Sequence, residues 1–192
     1  MATLYLFDNE KNKRRCLKPI IDHLNNGPTG GARKFRDGFG DEYDNFERNS
    51  TELVAAAQKA FEEPDSVFLI DLHLPDTSYR GAATSLLDWW IEGAELMLVE
   101  KRKARCAEIR RLIYGGSWEA DYNFAAVILS VCEAQNRPVA IVTTASATLD
   151  ESGRSYGEFA IVPFPSEPSQ TSLVKLAAEH IARICCAPVA SK

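Results

Sequence analysis

This chain has little that would suit a membrane, a metal–thiolate framework or a nucleic-acid surface. No apolar run approaches the ~20 residues that a membrane span requires. The amino terminus enters a strand pattern directly, without the architecture of a secretory signal. The three histidines, His23, His73 and His180, are scattered and offer no metal-ligand spacing. Cysteines stand at Cys16, Cys106, Cys132, Cys185 and Cys186, an odd number with no C-x-x-C pair, and all fall in helical segments. They read as free thiols packed in the interior. An excess of positive charge is absent too. A net charge of −5 argues against general attraction to nucleic acid and leaves only local basic patches. No internal repeat or low-complexity tract stands out. Cytoplasm is the compartment that this composition predicts.

What is present is a core. With 192 residues, 45% of them hydrophobic, the chain predicts one globular domain over 1–192. Its most informative stretch is SVFLIDLHLPD, Ser66 to Asp76. An apolar, β-branched-rich run stops at one carboxylate, Asp71, and Pro75 follows four positions later. In an α/β protein that carboxylate sits at the carboxyl end of a buried parallel strand, where ligands collect. A second such strand, TLYLFDNE, ends in Asp8, Asn9 and Glu10, and a third, PVAIVTTAS, ends in Thr143 and Thr144. Carboxylates and hydroxyls from three strand ends on one rim suggest a site for a cation and a phosphate.

Between these strands the period is helical. Cys16, Leu17, Ile20, Ile21 and Leu24 predict an amphipathic helix over 11–25, ended by Asn25-Asn26-Gly27-Pro28. Residues 27–50 read as an inserted loop; a second strand, if the segment holds one, is short and lies near Arg33 to Phe39. Within it, ARKFRDGFGDEYDNF has the composition of either a partner-binding loop or a flexible insertion. Ser50 or Thr51 caps the next helix, which Pro64 closes. Strands are expected at 2–7, 66–71, 138–143 and 158–163, and a last helix at Ser169 to Cys186. The alternation predicts a doubly wound parallel sheet of about five strands, with helices on both faces.

The connection from Pro75 to Pro138 is too long for one crossover. It predicts a helical insertion over 77–135 made of two helices, about Thr84 to Tyr114 and about Trp118 to Gln135, broken at Gly115-Gly116. The first would be roughly 45 Å long and part of it should project. Its stripe of Leu87, Trp90, Ile91, Ala94 and Leu98 reads as core. Trp89 and Trp90, being adjacent, cannot both face the same core. Lys101, Arg102, Lys103, Arg105, Arg110 and Arg111 read as a solvated face. Phe124, Val127, Ile128 and Val131 would cover Ile109, Leu112 and Ile113 in a helical hairpin, a docking surface that self-association would extend to a homodimer.

On these residues the chain resembles the bacterial response-regulator receiver domain. AAAQKAFEEPDSVFLIDLHLPD looks like that family's second helix and third strand, where an Asp, two residues, an aliphatic and a Pro mark the phospho-accepting strand end. Asp8-Asn9-Glu10 falls where the family carries its acidic pair, and Thr143 where it carries a Thr or Ser. The resemblance covers about half the chain: 2–25, 51–76 and 136–165. It implies a flavodoxin-like sheet of order 2-1-3-4-5 and a phosphoryl acceptor at Asp71. It also implies weakly bound Mg²⁺ held by Asp8, Asn9, Asp71 and the His73 carbonyl. A carboxylate attacks phosphorus only when charge on the equatorial oxygens is neutralised, and a hard divalent ion does this. The Thr143 hydroxyl would bond a phosphoryl oxygen. For Asp8 and Asn9, capping of the following helix is the plainer role.

Two departures from the family's pattern stand out. Asn9 is neutral where an acid is usual, which weakens the ion site. Val162 or Pro163 stands where the family has a Lys, and no Lys or Arg lies between Arg154 and Lys175. Without a fixed cation the coupling of phosphate to conformation should be weak. The expectation is a stand-alone, atypical receiver-like signalling module acting through protein contacts, partnered by a histidine kinase or a downstream effector, and not an enzyme. The alternatives are a phosphorylation-independent adaptor and a Mg²⁺-dependent phosphohydrolase of the haloacid dehalogenase type. The latter requires a second Asp two positions after the first, and here that position is Glu10.

Overall fold

The structure, a computed structural model, describes residues 1–8, 10–27, 33–40, 50–72, 74, 76–114, 123–143 and 159–186, apart from the side chains of 76–80, 114 and 186. Five parallel strands form one sheet: β1 (Ala2–Phe7), β2 (Phe35–Asp37), β3 (Ser66–Asp71), β4 (Val139–Thr143) and β5 (Ala160–Pro163). Their order is β2-β1-β3-β4-β5, the flavodoxin-like doubly wound order. Among the described residues six helices accompany them: α1 (Lys11–Asn26), α2 (Ser50–Glu62), α3 (Asp76–Ile91), α4 (Leu96–Tyr114), α5 (Phe124–Ala134) and α6 (Thr171–Cys186).

β1 and β3 are buried along their whole length because helices cover both faces. The pleat divides their side chains between two cores. Leu4, Leu6, Val67 and Leu69 meet Cys16, Leu17, Ile20 and Leu24 of α1 and Ala177, Ala178 and Ile181 of α6. On the other face Tyr5, Phe7, Phe68 and Ile70 meet α2, α3 and α5. Gly38, just past β2, lets the Tyr5 ring approach to where a Cβ would stand only 2.3 Å from the ring. The outer edge of β2 is closed by the Asn25 amide, which accepts from the Phe35 N–H at 2.8 Å and donates to its carbonyl at 3.0 Å.

The insertion differs from expectation. Three helices, not two, connect β3 to β4, because the run from Thr84 to Tyr114 breaks after Ile91. Gly93 adopts φ +69°, the left-handed conformation that ends a helix at little cost for glycine. The chain turns there and α4 runs back along α5 instead of projecting. Leu87 and Trp90 are buried as expected, but Leu98, beyond the break, is 40% exposed.

Two of the expected solvent-facing cations are fasteners. Arg102 lies 4.9 Å over the Trp90 ring and donates to the Trp90 carbonyl. Arg105 grips Glu133 of α5 with two hydrogen bonds of 2.7 and 2.8 Å. Contrary to expectation, both tryptophans pack on the same core, Trp90 buried in it beside α4 and Trp89 half-buried at its edge, stacked on Phe61 of α2. Ile109 is buried in the core that includes α5, whereas Leu112 is half exposed. Gly115-Gly116 lies outside the described residues, as does the stretch from Asp41 to Asn49. Among the described residues no helix is long and apolar enough to cross a membrane.

Candidate functional site

β1 and β3 are neighbours in the sheet, yet their following connections leave in opposite directions, α1 toward β2 and α3 away from it. The gap this opens at their carboxyl ends is where ligands bind in such sheets. Asp8 follows β1 and Asp71 ends β3, so both carboxylates stand at this gap. They are 0% and 4% exposed. Two buried carboxylates on one rim are costly unless something neutralises them.

That something is Lys13, in the first turn of α1 and 3% exposed. Its Nζ donates to Asp71 Oδ2 at 2.6 Å and lies 3.3 Å from Asp8 Oδ2 and 3.2 Å from Glu10 Oε1. Burial opposes its charge, but the bond to Asp71 and the fields of Asp8 and Asp71 outweigh it, so its pKa is held above the ordinary range. The Asp8 pKa is raised too, which for a carboxylate favours the neutral form. Burial first, then the negative charge of Asp71, pushes its pKa up to about 7, against the pull of the Glu10 N–H and of Lys13. Near neutrality Asp8 therefore carries a proton part of the time, and the Lys13–Asp71 pair is the fixed element of the cluster.

Asp8 also shapes the entry to α1. Its Oδ1 accepts from the Glu10 N–H at 2.7 Å, and its backbone carbonyl accepts from Arg14 Nη1 at 3.2 Å. The N-cap itself is Glu10, whose side chain makes no capping bond. The capping role expected for Asp8 is thus a turn one step ahead of the helix. Asn9 and His73, expected as ion ligands, lie outside the described residues, as does Thr144. Thr143 ends β4 one position past Val142, the register partner of Asp71, so it shares the rim. Its carbonyl accepts from the Phe164 N–H at 2.8 Å.

The end of β5 carries no cation: Val162, Pro163 and Phe164 are all buried and apolar. A cation does reach the rim, but from α1, where Lys13 lies beside both carboxylates. Its signal in the sequence was one of position. Lys13 falls on the same helical stripe as Cys16, Leu17, Ile20, Ile21 and Leu24, all buried. A lysine in an apolar stripe beside a strand-end acid needs a buried partner.

By donor type, Asp8 and Asp71 would suit a hard divalent ion. As arranged they do not fit one, because the Lys13 ammonium already bridges both carboxylates. No family model, no curated protein and no solved structure matches this chain. The fold therefore stands on strand order and the site on its own geometry.

Proposed function

We propose that this chain is a receiver-like signalling module that acts through protein–protein contacts, with its rim held in a charge-compensated state that does not depend on phosphoryl transfer. The observation that carries the reading is the Asp8–Asp71 pair at the β1/β3 gap, bridged by Lys13 at 3.3 and 2.6 Å. The would-be nucleophile Asp71 is buried and already bonded, so an incoming phosphoryl group would have to displace the ammonium. A contact surface is available on α4, where Leu96 and Met97 are 78% and 81% exposed. Large apolar side chains so fully exposed at one end of a helix suit a protein partner, including a second copy of the chain.

The test is the intact mass of the protein after incubation with acetyl phosphate and Mg²⁺, beside Asp71→Asn. The expected result is no added phosphoryl group on either. One acid-stable, base-labile group on the wild type, lost in the variant, would overturn phosphorylation independence.

A second reading keeps Asp71 as a phosphoryl acceptor. What favours it is the same ammonium, which would pair with a phosphoryl oxygen as a lysine from the fifth strand does in the receiver family. The phosphohydrolase reading finds less support, because the Glu10 carboxylate is engaged by Lys13.

A further inference from the structure

We propose that Lys13 is a tethered replacement for a divalent metal ion: its ammonium and a hard divalent cation are mutually exclusive occupants of one position between Asp8 and Asp71. The inference goes beyond the signalling reading and stands on the cluster's geometry alone. Three facts bear on it.

The first is chemical type. Asp8 and Asp71 are all-oxygen donors from two adjacent strand ends, the set that hard divalent ions prefer. The second is placement. Lys13 Nζ lies within 3.3 Å of one carboxylate and 2.6 Å of the other, so the ammonium serves both, as a bridging ion would. The third is cost. Lys13 is as deeply buried as the two carboxylates within 3.3 Å of it, and removing either side would leave an uncompensated buried charge. Such mutual dependence fixes the cation in place.

A tethered ammonium differs from a bound ion in two respects. It is present at a local concentration that no free ion in the millimolar range matches, because the helix delivers it. It also donates a directional hydrogen bond, to Asp71 Oδ2, and carries one charge instead of two. The rim is thereby independent of the surrounding divalent ion concentration. Removing the ammonium should uncover the ion site.

Lys13→Met tests this, since methionine keeps much of the apolar stem and loses the charge. Mn²⁺ binding, read by electron paramagnetic resonance, and thermal unfolding with Mg²⁺ or EDTA are compared for the wild type, Lys13→Met and Lys13→Met/Asp71→Asn. The expected result is at least about tenfold tighter Mn²⁺ binding by Lys13→Met than by the wild type. Its melting temperature should rise with Mg²⁺ while that of the wild type does not move, and the double variant should lose both effects. Equal Mn²⁺ affinity in wild type and Lys13→Met overturns the proposal, and so does a folded Lys13→Met that binds no ion. If Lys13→Met fails to fold in EDTA, Lys13→Gln is added and both are refolded with Mg²⁺. Folding that requires the ion supports the exchange, and failure of both variants with the ion overturns it. None of these readouts involves phosphoryl transfer or a partner, so their failure is separate from failure of the signalling reading.

Discussion

Lys13 and Asp71, 58 residues apart in the chain, meet through a 2.6 Å hydrogen bond buried at the end of the central strand. The pair joins the first turn of α1 to the tip of β3, and Asp8 closes the triangle from β1. Its energetic character is that of a buried ion pair, in which removing one partner costs far more than the pair contributes net.

Lys13→Ala should therefore lower the stability of the fold by about 3–5 kcal/mol at pH 8, because Asp71 is left as an uncompensated buried charge. Urea unfolding followed by circular dichroism measures it. The loss should be smaller near pH 5, where Asp8 is protonated and one repulsive charge is gone. An equal loss at both pH values would mean that Asp8 and Asp71 do not interact.

Asp8 gives the protein a distinctive pH dependence. Its folded pKa of about 7 lies above the ordinary 3.8, so the folded state holds the extra proton over that window. Its contribution to stability is fully present below the ordinary value and is lost as pH rises toward and through 7. Asp8→Asn should flatten this fall between pH 4 and 7. Denaturation midpoints across that range would show it, and an unchanged slope in the variant would place the titration elsewhere.

Arg137 closes the far end of the sheet from the site. Its guanidinium donates to the carbonyls of Phe61 and Glu63, both at 2.9 Å, and to that of Pro64, acceptors at and just beyond the end of α2. Arg137→Ala should cost about 1.5–3 kcal/mol, the range for a hydrogen bond to a charged donor. Thermal unfolding measures the loss, while Mn²⁺ binding by Lys13→Met should not change when Arg137→Ala is added, because the site is at the opposite rim.

On α4, Leu96→Glu with Met97→Glu should leave the melting temperature within a degree or two, since both side chains are exposed. Concentration-dependent self-association in sedimentation velocity should disappear in this variant. A wild type that stays monomeric at every concentration would assign the patch to a different protein.

The strands were legible because a parallel strand covered on both faces must be mostly apolar, as SVFLID and ATLYLF are. The helical stripes of α1 and α6 and the carboxylates at the strand ends followed from period and position. The break at Gly93 was not legible from periodicity, because apolar positions continue in helical phase from Leu87 to Leu98. One glycine's left-handed backbone, stabilised by the return of α4 onto α5 through Arg105 and Glu133, decided the path. The roles of Arg102 and Arg105 depended on the same turn.

The sequence alone determined which segments are buried, how they alternate, and that Asp8 and Asp71 close their strands, since burial pattern and chain direction are local properties. Only the tertiary structure decided what those carboxylates face. Lys13 stands among Lys11, Arg14 and Arg15 at the start of α1. It became the partner of Asp71 because α1, packed across β1 by Cys16, Leu17 and Ile20, points its first turn at the gap between β1 and β3. Charge compensation in a buried site depends on distances of 3 Å between elements far apart in the chain, and no local pattern carries such distances.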